Sequence, residues 1–245
     1  MEPNPFYSTP IPSQSAPEMI YNKIRDMITS GRLKPGDTIP TEGELIKMFQ
    51  RSRPTVREAM RMLENDGLIK LNPGNKDSVV TEPSVGAISK PVASLAAIKG
   101  VTLLDLLEYR EVNDIMILTL AAGRRTETDL ENMREALSAL RASLNDSDLF
   151  QSFCLEFLYR LADCTHNEYI KLMDQITKQL APGVLSRGLS EEGPSFAENL
   201  TEFYEKIYRL IAEGNGQAAA ELQLEHLAHI RANETASGPA ILGLI

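Results

Sequence analysis

Apolar residues recur at helical spacing in three short segments near the start of the chain. Ile20, Ile24, Met27 and Ile28 form a stripe that predicts a helix over about residues 17–30. The second segment follows a capping box of Thr41 and Glu44. We expect its Leu45, Met48 and Phe49 to point inward. We expect Ser52 to cap the third segment. Its predicted buried face comprises Val56, Ala59, Met60 and Leu63.

Beyond Gly67 the pattern changes to short runs that are typical of strands. Residues 68–71 and 78–81 predict two strands around an Asn-Pro-Gly-Asn-Lys-Asp turn. Residues 16–81 therefore form a predicted domain of helices followed by a hairpin. Residues 1–15 contain four prolines and are expected to form a flexible arm.

The rest of the chain has a helical pattern. Residues 82–101 contain two prolines and mostly small residues, which indicates a linker. Residues 102–234 are predicted to form an all-helical domain, and residues 235–245 an apolar tail of open role. The predicted helices are 102–123, 127–144, 148–163, 167–186, 195–213 and 215–234. The fold class is therefore mainly α, with a small N-terminal helix-and-hairpin domain and a C-terminal helical bundle.

Charge is distributed unevenly along the chain. The net charge is −9, but residues 1–80 carry +1 and residues 81–245 carry −10. Basic residues concentrate between 47 and 61, where Glu58 is the one acidic residue: Lys47, Arg51, Arg53, Arg57 and Arg61. A local basic cluster of this kind indicates a nucleic-acid partner despite the acidic total.

Neither cysteine usage nor hydropathy suggests secretion or a membrane. Cys154 and Cys164 lie in apolar helical sequence without a CxxC spacing, which fits a reducing cytoplasm. The first residues lack the pattern of a signal peptide, and there is no run of about 18 apolar residues. We therefore expect a cytoplasmic protein.

The third predicted helix carries the most specific functional signal. Arg53, Arg57 and Arg61 recur every four residues and share its exposed face, which suits the major groove of DNA. Arg53 and Arg57 are the candidate base readers, since arginine pairs bidentately with guanine. The other candidate DNA contacts are Thr41, Lys47, Arg51, Ser52, Thr55, Gly74, Asn75 and Lys76. A merely solvated arginine face would not explain the surrounding order of caps, helices and hairpin.

Two stretches, GRLKPGDTIPTEGEL and SRPTVREAMRMLENDGLI, resemble the winged helix-turn-helix of the GntR family of bacterial transcription regulators. The resemblance covers about residues 17–81. It implies a homodimer that binds a pseudo-palindromic double-stranded DNA operator. The reading positions of the family fall on Ser52, Arg53, Thr55 and Arg57, with the wing at Gly74. Departures at Gly43, Arg51 and Pro54 mean that the operator sequence does not carry over from a relative.

The helical domain resembles the FCD effector domain of the FadR-type subfamily. The stretches LLEYREVND, LAAGRRTETDL, HNEYI and IAEGNGQAAAELQLEHL carry this resemblance across most of residues 100–230. Many FCD domains hold a divalent metal on one Asp and three His. The equivalent positions here are Cys154, Leu158, Tyr204 and His226, of which only His226 is an ordinary ligand of that set. We therefore expect no metal and no cofactor, although an unusual site on Cys154 and His226 stays open.

Without a metal, a small-molecule effector needs other partners. An acid would require donors such as Arg110, Tyr204, His226 or Arg187, whereas an acyl-type ligand would need a mainly apolar pocket. Arg110 and Asp114 are spaced either for such a site or for a structural ion pair, and both readings stand.

These features predict a DNA-binding regulator, expected to act as a repressor, whose operator binding responds to a small metabolite. The alternative is an effector-independent dimer whose helical domain serves only dimerisation. The sequence has no Ser/His/Asp order, CxxC, P-loop or GxGxxG, so an enzyme is not expected.

Overall fold

The computed structural model describes residues 15–72, 78–82, 84–180 and 182–237. The chain divides into two compact units, with the boundary between Ala87 and Ile88. Each unit has a hydrophobic core of its own.

In its described residues, the first unit combines three helices with a small antiparallel sheet. Its elements are α1 (Ala16–Thr29), β1 (Thr38–Ile39), α2 (Glu42–Phe49), α3 (Arg53–Asn65), β2 (Ile69–Lys70) and β3 (Ser78–Val80). The strand order is β1-β3-β2, so β3 pairs with both neighbours. Strand β1 was not predicted, because two residues are too few to show an alternating pattern.

The core of the first unit joins the helices to the sheet. Ile24, Leu45 and Leu63 are buried in it, as the helical spacing predicted, together with Ile39 of β1. The prediction for Met48 was wrong, since its side chain is 66% exposed. Helix α2 has only eight residues, and Leu45 is its one fully buried residue.

Two of the helix starts in this unit have a reciprocal capping box. The predicted pair of Thr41 and Glu44 is present at α2, and Ser15 and Glu18 form the same arrangement at α1. Ser52 occupies the N-cap position of α3, but its hydroxyl makes no capping hydrogen bond and instead lies 2.8 Å from that of Thr55. The expected side-chain cap at Ser52 is therefore wrong.

The segment expected to be a linker contains a helix, α4 (Val85–Ile98), with Pro91 inside it. The sequence pattern did not predict this helix, because prolines usually mark a break. Tertiary contacts stabilise it: the Ser89 hydroxyl donates to Gln179 at 2.6 Å, and Ala96 packs against an apolar cluster that includes Leu103 and Leu227.

Seven further helices form the rest of the second unit in its described part. They are α5 (Leu103–Arg124), α6 (Glu127–Ala142), α7 (Ser147–Asp163), α8 (Glu168–Lys178), α9 (Pro182–Glu192), α10 (Pro194–Ala212) and α11 (Gly216–Ser237). The helix expected over 167–186 is divided into α8 and α9. The new helix begins at Pro182, a residue suited to a first turn.

The core of the second unit lies among α5, α6, α7 and α10. Its largest fully buried side chains include Phe150, Phe157, Met133 and Ile207. Helix α11 packs along α5. None of the helices in the described ranges is both long enough and apolar enough to cross a membrane.

Candidate nucleic-acid interface and buried polar cluster

Helix α3 is fixed on one face and open on the other. Val56 and Leu63 are fully buried, which anchors the helix on the core of the first unit. Arg53, Arg57 and Arg61 are all exposed, as the four-residue spacing predicted. The helix therefore presents a row of guanidinium groups from a rigid support.

One of these arginines is held by a residue of the preceding helix. The Nε of Arg57 donates to both carboxylate oxygens of Glu42, at 3.0 Å each. The side chain of Arg57 remains 55% exposed and that of Glu42 33%. Sequence reasoning missed Glu42. The two residues are 15 positions apart, and only the angle between α2 and α3 brings them together.

The other predicted DNA-contact residues surround the start of α3 and the α2 helix. Ser52 and Thr55 lie side by side at the N-terminus of α3, and Arg51 is exposed just before it. Thr41 and Lys47 line a surface groove of about 530 Å³ on the α2 side. Gly74, Asn75 and Lys76 fall outside the described residues.

A buried cluster of charged and polar side chains joins three helices of the second unit. Asp114 accepts hydrogen bonds from Arg110 at 3.0 and 3.3 Å, from Lys178 at 3.1 Å and from Gln223 at 2.7 Å. Burial by itself would raise the pKa of Asp114, but the Lys178 ammonium and the Arg110 guanidinium lower it to about 2. The carboxylate is therefore fully charged at neutral pH.

Lys178 is shared between two carboxylates. Its Nζ lies 3.3 Å from Asp174 as well as 3.1 Å from Asp114, and its side chain is only 7% exposed. Burial raises the pKa of Asp174, and the neighbouring charge of Asp114 raises it further. The spacing of Arg110 and Asp114 was visible in the sequence. Lys178 and Gln223 join them only through the packing of helices that are distant in the sequence. The four-residue spacing of Ile170, Asp174 and Lys178, which puts two charged residues in line with an apolar one, was an available signal.

Beside this cluster lies a group of aromatic side chains. Tyr204 packs against Phe157 with ring centroids 4.8 Å apart, and Phe203 stacks on His226 at 4.3 Å. Burial lowers the pKa of His226, and the nearby positive charge of Arg110 lowers it further, to about 4. His226 is therefore neutral at pH 7.

The metal-equivalent positions do not fit a resident metal ion. Burial raises the pKa of the Cys154 thiol, so it stays protonated, and burial likewise raises the pKa of the Tyr204 hydroxyl. Leu158 packs against the apolar core. Across the described ranges, no group of three His, Cys, Asp or Glu is arranged to hold a metal. The structure does bring Tyr204 and His226 close to Arg110, and Cys154 close to Tyr204, so these predicted residues share one region.

A winged helix-turn-helix with an exposed arginine row, followed by an all-helical unit, defines a DNA-binding transcription regulator. Comparison with known families identifies the group. The family described as "Bacterial regulatory proteins, gntR family" matches residues 16–76, and the FCD domain matches residues 105–229. The chain belongs to the GntR family and has the FCD architecture of its FadR-type members.

Similar proteins are regulators of the same kind. HTH-type transcriptional regulator LutR of Bacillus subtilis is 33% identical over 208 residues, covering 83% of this chain and 94% of LutR. HTH-type transcriptional repressor NanR of Salmonella bongori is 28% identical over 197 residues, covering 74% of this chain and 72% of NanR. The structure of Streptococcus agalactiae GntR is similar with a TM-score of 0.64 and 19% sequence identity. The match covers 88% of this chain and 99% of the GntR chain, and it supports the fold.

Proposed function

We propose that this protein is a cytoplasmic, homodimeric repressor that binds a pseudo-palindromic operator through α3 and responds to a small carboxylate or acyl-type metabolite. The observation that carries the DNA part is the exposed row of Arg53, Arg57 and Arg61 on a helix whose other face is buried. The name of the similar NanR protein, a transcriptional repressor, supports repression as the direction of control.

Each DNA contact has a role set by its position. Arg53 and Arg57 read guanines in the major groove, because a guanidinium matches the O6 and N7 acceptors of that base. Ser52, Thr55 and Arg51 contact phosphates or base edges around the start of α3, while Thr41 and Lys47 contact phosphates from α2. The family resemblance assigns the remaining proposed DNA contacts to Gly74, Asn75 and Lys76.

Electrophoretic mobility shifts with DNA fragments flanking the gene test this proposal. The full-length protein should give a specific, salt-sensitive band, because phosphate contacts release counterions. Arg53→Ala and Arg57→Ala should each weaken that band by roughly 5- to 100-fold. Arg141→Ala, which removes an exposed arginine paired with Glu205 in the helical unit, serves as the control and should leave it intact. A wild-type protein without a specific band would refute the proposal.

The effector region supports direct binding of a carboxylate, without a metal. Arg110 bonds to Asp114 through Nε and Nη2, which leaves its Nη1 without a hydrogen bond to the described part of the chain. The Tyr204 hydroxyl lies near Arg110 and likewise makes no hydrogen bond within those residues. A carboxylate between these two donors would be held by Arg110 and Tyr204. The neutral His226 and the Phe203 ring would contact the organic part of the ligand.

A thermal-shift screen of organic acids, sugar acids and acyl-CoAs tests the effector part. A ligand at 100 times its Kd should stabilise the protein by about 2.7 kcal/mol and release it from DNA. Tyr204→Phe should weaken that ligand about tenfold, since it removes one hydrogen bond to a charged group. Tyr208→Phe, on the same helix but bonded to Arg134 at the surface, is the matched control. A screen in which no ligand affects stability or DNA release would favour an effector-independent dimer.

A further inference from the structure

The ion pair between Glu42 and Arg57 is unusual within the first unit. In the described part of that unit, it is the only ion pair that joins two helices. It connects the N-terminal residue of α2 to the exposed face of α3. The contact is one-sided: both carboxylate oxygens approach Nε, and neither terminal nitrogen of the guanidinium takes part.

From this geometry we infer that Glu42 is a specificity-determining residue. Its carboxylate orients Arg57 so that the two terminal nitrogens face one guanine. The inference rests on the proposed DNA-reading role of α3 and adds a residue to it. Arginine usually recognises guanine through two nitrogens at once, so a guanidinium fixed in advance at Nε reaches that arrangement with less loss of rotamer freedom.

The contribution of this pair to stability is small, which leaves orientation as its main effect. Exposed ion pairs add little to folding because water screens them and two side chains lose freedom. Docking on DNA removes water from the contact and strengthens it. The N-terminus of α2 also favours a negative charge at the position of Glu42.

The pair also changes which part of the DNA Arg57 contacts. A carboxylate in contact with the guanidinium offsets its charge, so Arg57 contributes less to phosphate attraction at arbitrary sequences. Arg53 has no ion-pair partner in the described part of the chain and keeps its full attraction for phosphate. Glu42 therefore directs Arg57 towards a base contact.

Binding-site selection from a randomised DNA library tests the inference. The full-length wild type, Arg57→Ala, Glu42→Ala and Glu58→Ala would be selected in parallel, and the enriched duplexes sequenced. Arg57→Ala should lose the preference for guanine at one base pair of each half-site by about tenfold. Glu42→Ala should lose it at the same base pair by about threefold or more. Competition between two duplexes that differ only at that base pair measures the preference for guanine as a ratio of affinities.

Glu58→Ala is the matched control, because it removes the same charge from an exposed position next to Arg57. It should leave the selected motif unchanged. The inference is overturned if Glu42→Ala retains the wild-type motif, strengthens binding to all sequences alike, or relaxes a different base pair from Arg57→Ala. If the wild type itself enriches no motif, the proposed DNA-reading role fails instead, so the two failures are distinguishable.

Discussion

The buried ammonium of Lys178 lies between the two carboxylates of the polar cluster in the second unit. Its nitrogen lies within 3.3 Å of two carboxylates that are almost fully removed from water, Asp114 and Asp174. Two positive and two negative groups, counting Arg110, balance one another inside the second unit. Removing one partner from such a set leaves an uncompensated charge in a poorly solvated site, which is costly.

We therefore predict that Lys178→Met destabilises the protein by about 3–5 kcal/mol. The unfolding free energy is measured by urea denaturation followed by circular dichroism. Asp174→Asn should cost less, because Lys178 keeps Asp114 as its partner. Lys206→Met, at an exposed position of α10, should change the free energy by less than about 0.5 kcal/mol. Equal effects at Lys178 and Lys206 would contradict the view that burial sets the cost.

At the scale of elements, the contact between α5 and α11 depends on a residue without a side chain. A Cβ at Gly216 would lie 2.9 Å from the Cα of Thr119 and 3.1 Å from the Cβ of Ala122. Backbone and short side chains cannot move aside as a flexible chain end can. The first turn of α11 therefore approaches α5 closely because position 216 is glycine.

Gly216→Ala is predicted to destabilise the protein by about 1–3 kcal/mol through overpacking. Gly123→Ala, near the end of α5, is the opposite case, because a Cβ there meets nothing within 4 Å. It should stabilise by about 0.5 kcal/mol, since alanine favours the helix. The melting temperatures of the two variants, each compared with that of the wild type, test both predictions. A stabilising Gly216→Ala would show that the helices separate easily.

At the scale of the whole molecule, the negative charge is concentrated outside the part of the chain that binds DNA. Residues 81–245 have a net charge of −10, whereas residues 1–80 have a net charge of +1. Attraction to DNA must therefore come from a few local cations. An acidic remainder of this size limits non-specific binding to nucleic acid.

The salt dependence of operator binding should show this directly. Lys47→Ala is predicted to reduce the slope of log K against log salt by about one for each bound protomer, because one phosphate contact is lost. Sequence preference should not change. Lys206→Ala removes a cation from the helical unit and should leave the slope as in the wild type. A Lys47 variant with the wild-type slope would place that residue away from the phosphates.

The sequence by itself determined the three helices of the first unit, its two later strands and its arginine row, but not strand β1. The local signals were the periodic apolar positions, the Thr41–Glu44 cap and the four-residue arginine spacing. Such patterns can be recognised without knowledge of the tertiary structure. The spacing of Arg110 and Asp114 allowed either a ligand site or an ion pair, and the structure shows the ion pair. The same local rules were wrong at Ser52 and Met48.

Only the tertiary structure decided which distant residues meet. Glu42 reaches Arg57 through the angle between two helices, and Lys178 and Gln223 reach Asp114 across 64 and 109 positions of sequence. The helix over 85–98 forms despite Pro91 because its side chains pack against other helices. Packing depends on the three-dimensional position of whole elements, and the pattern along one segment does not contain that information.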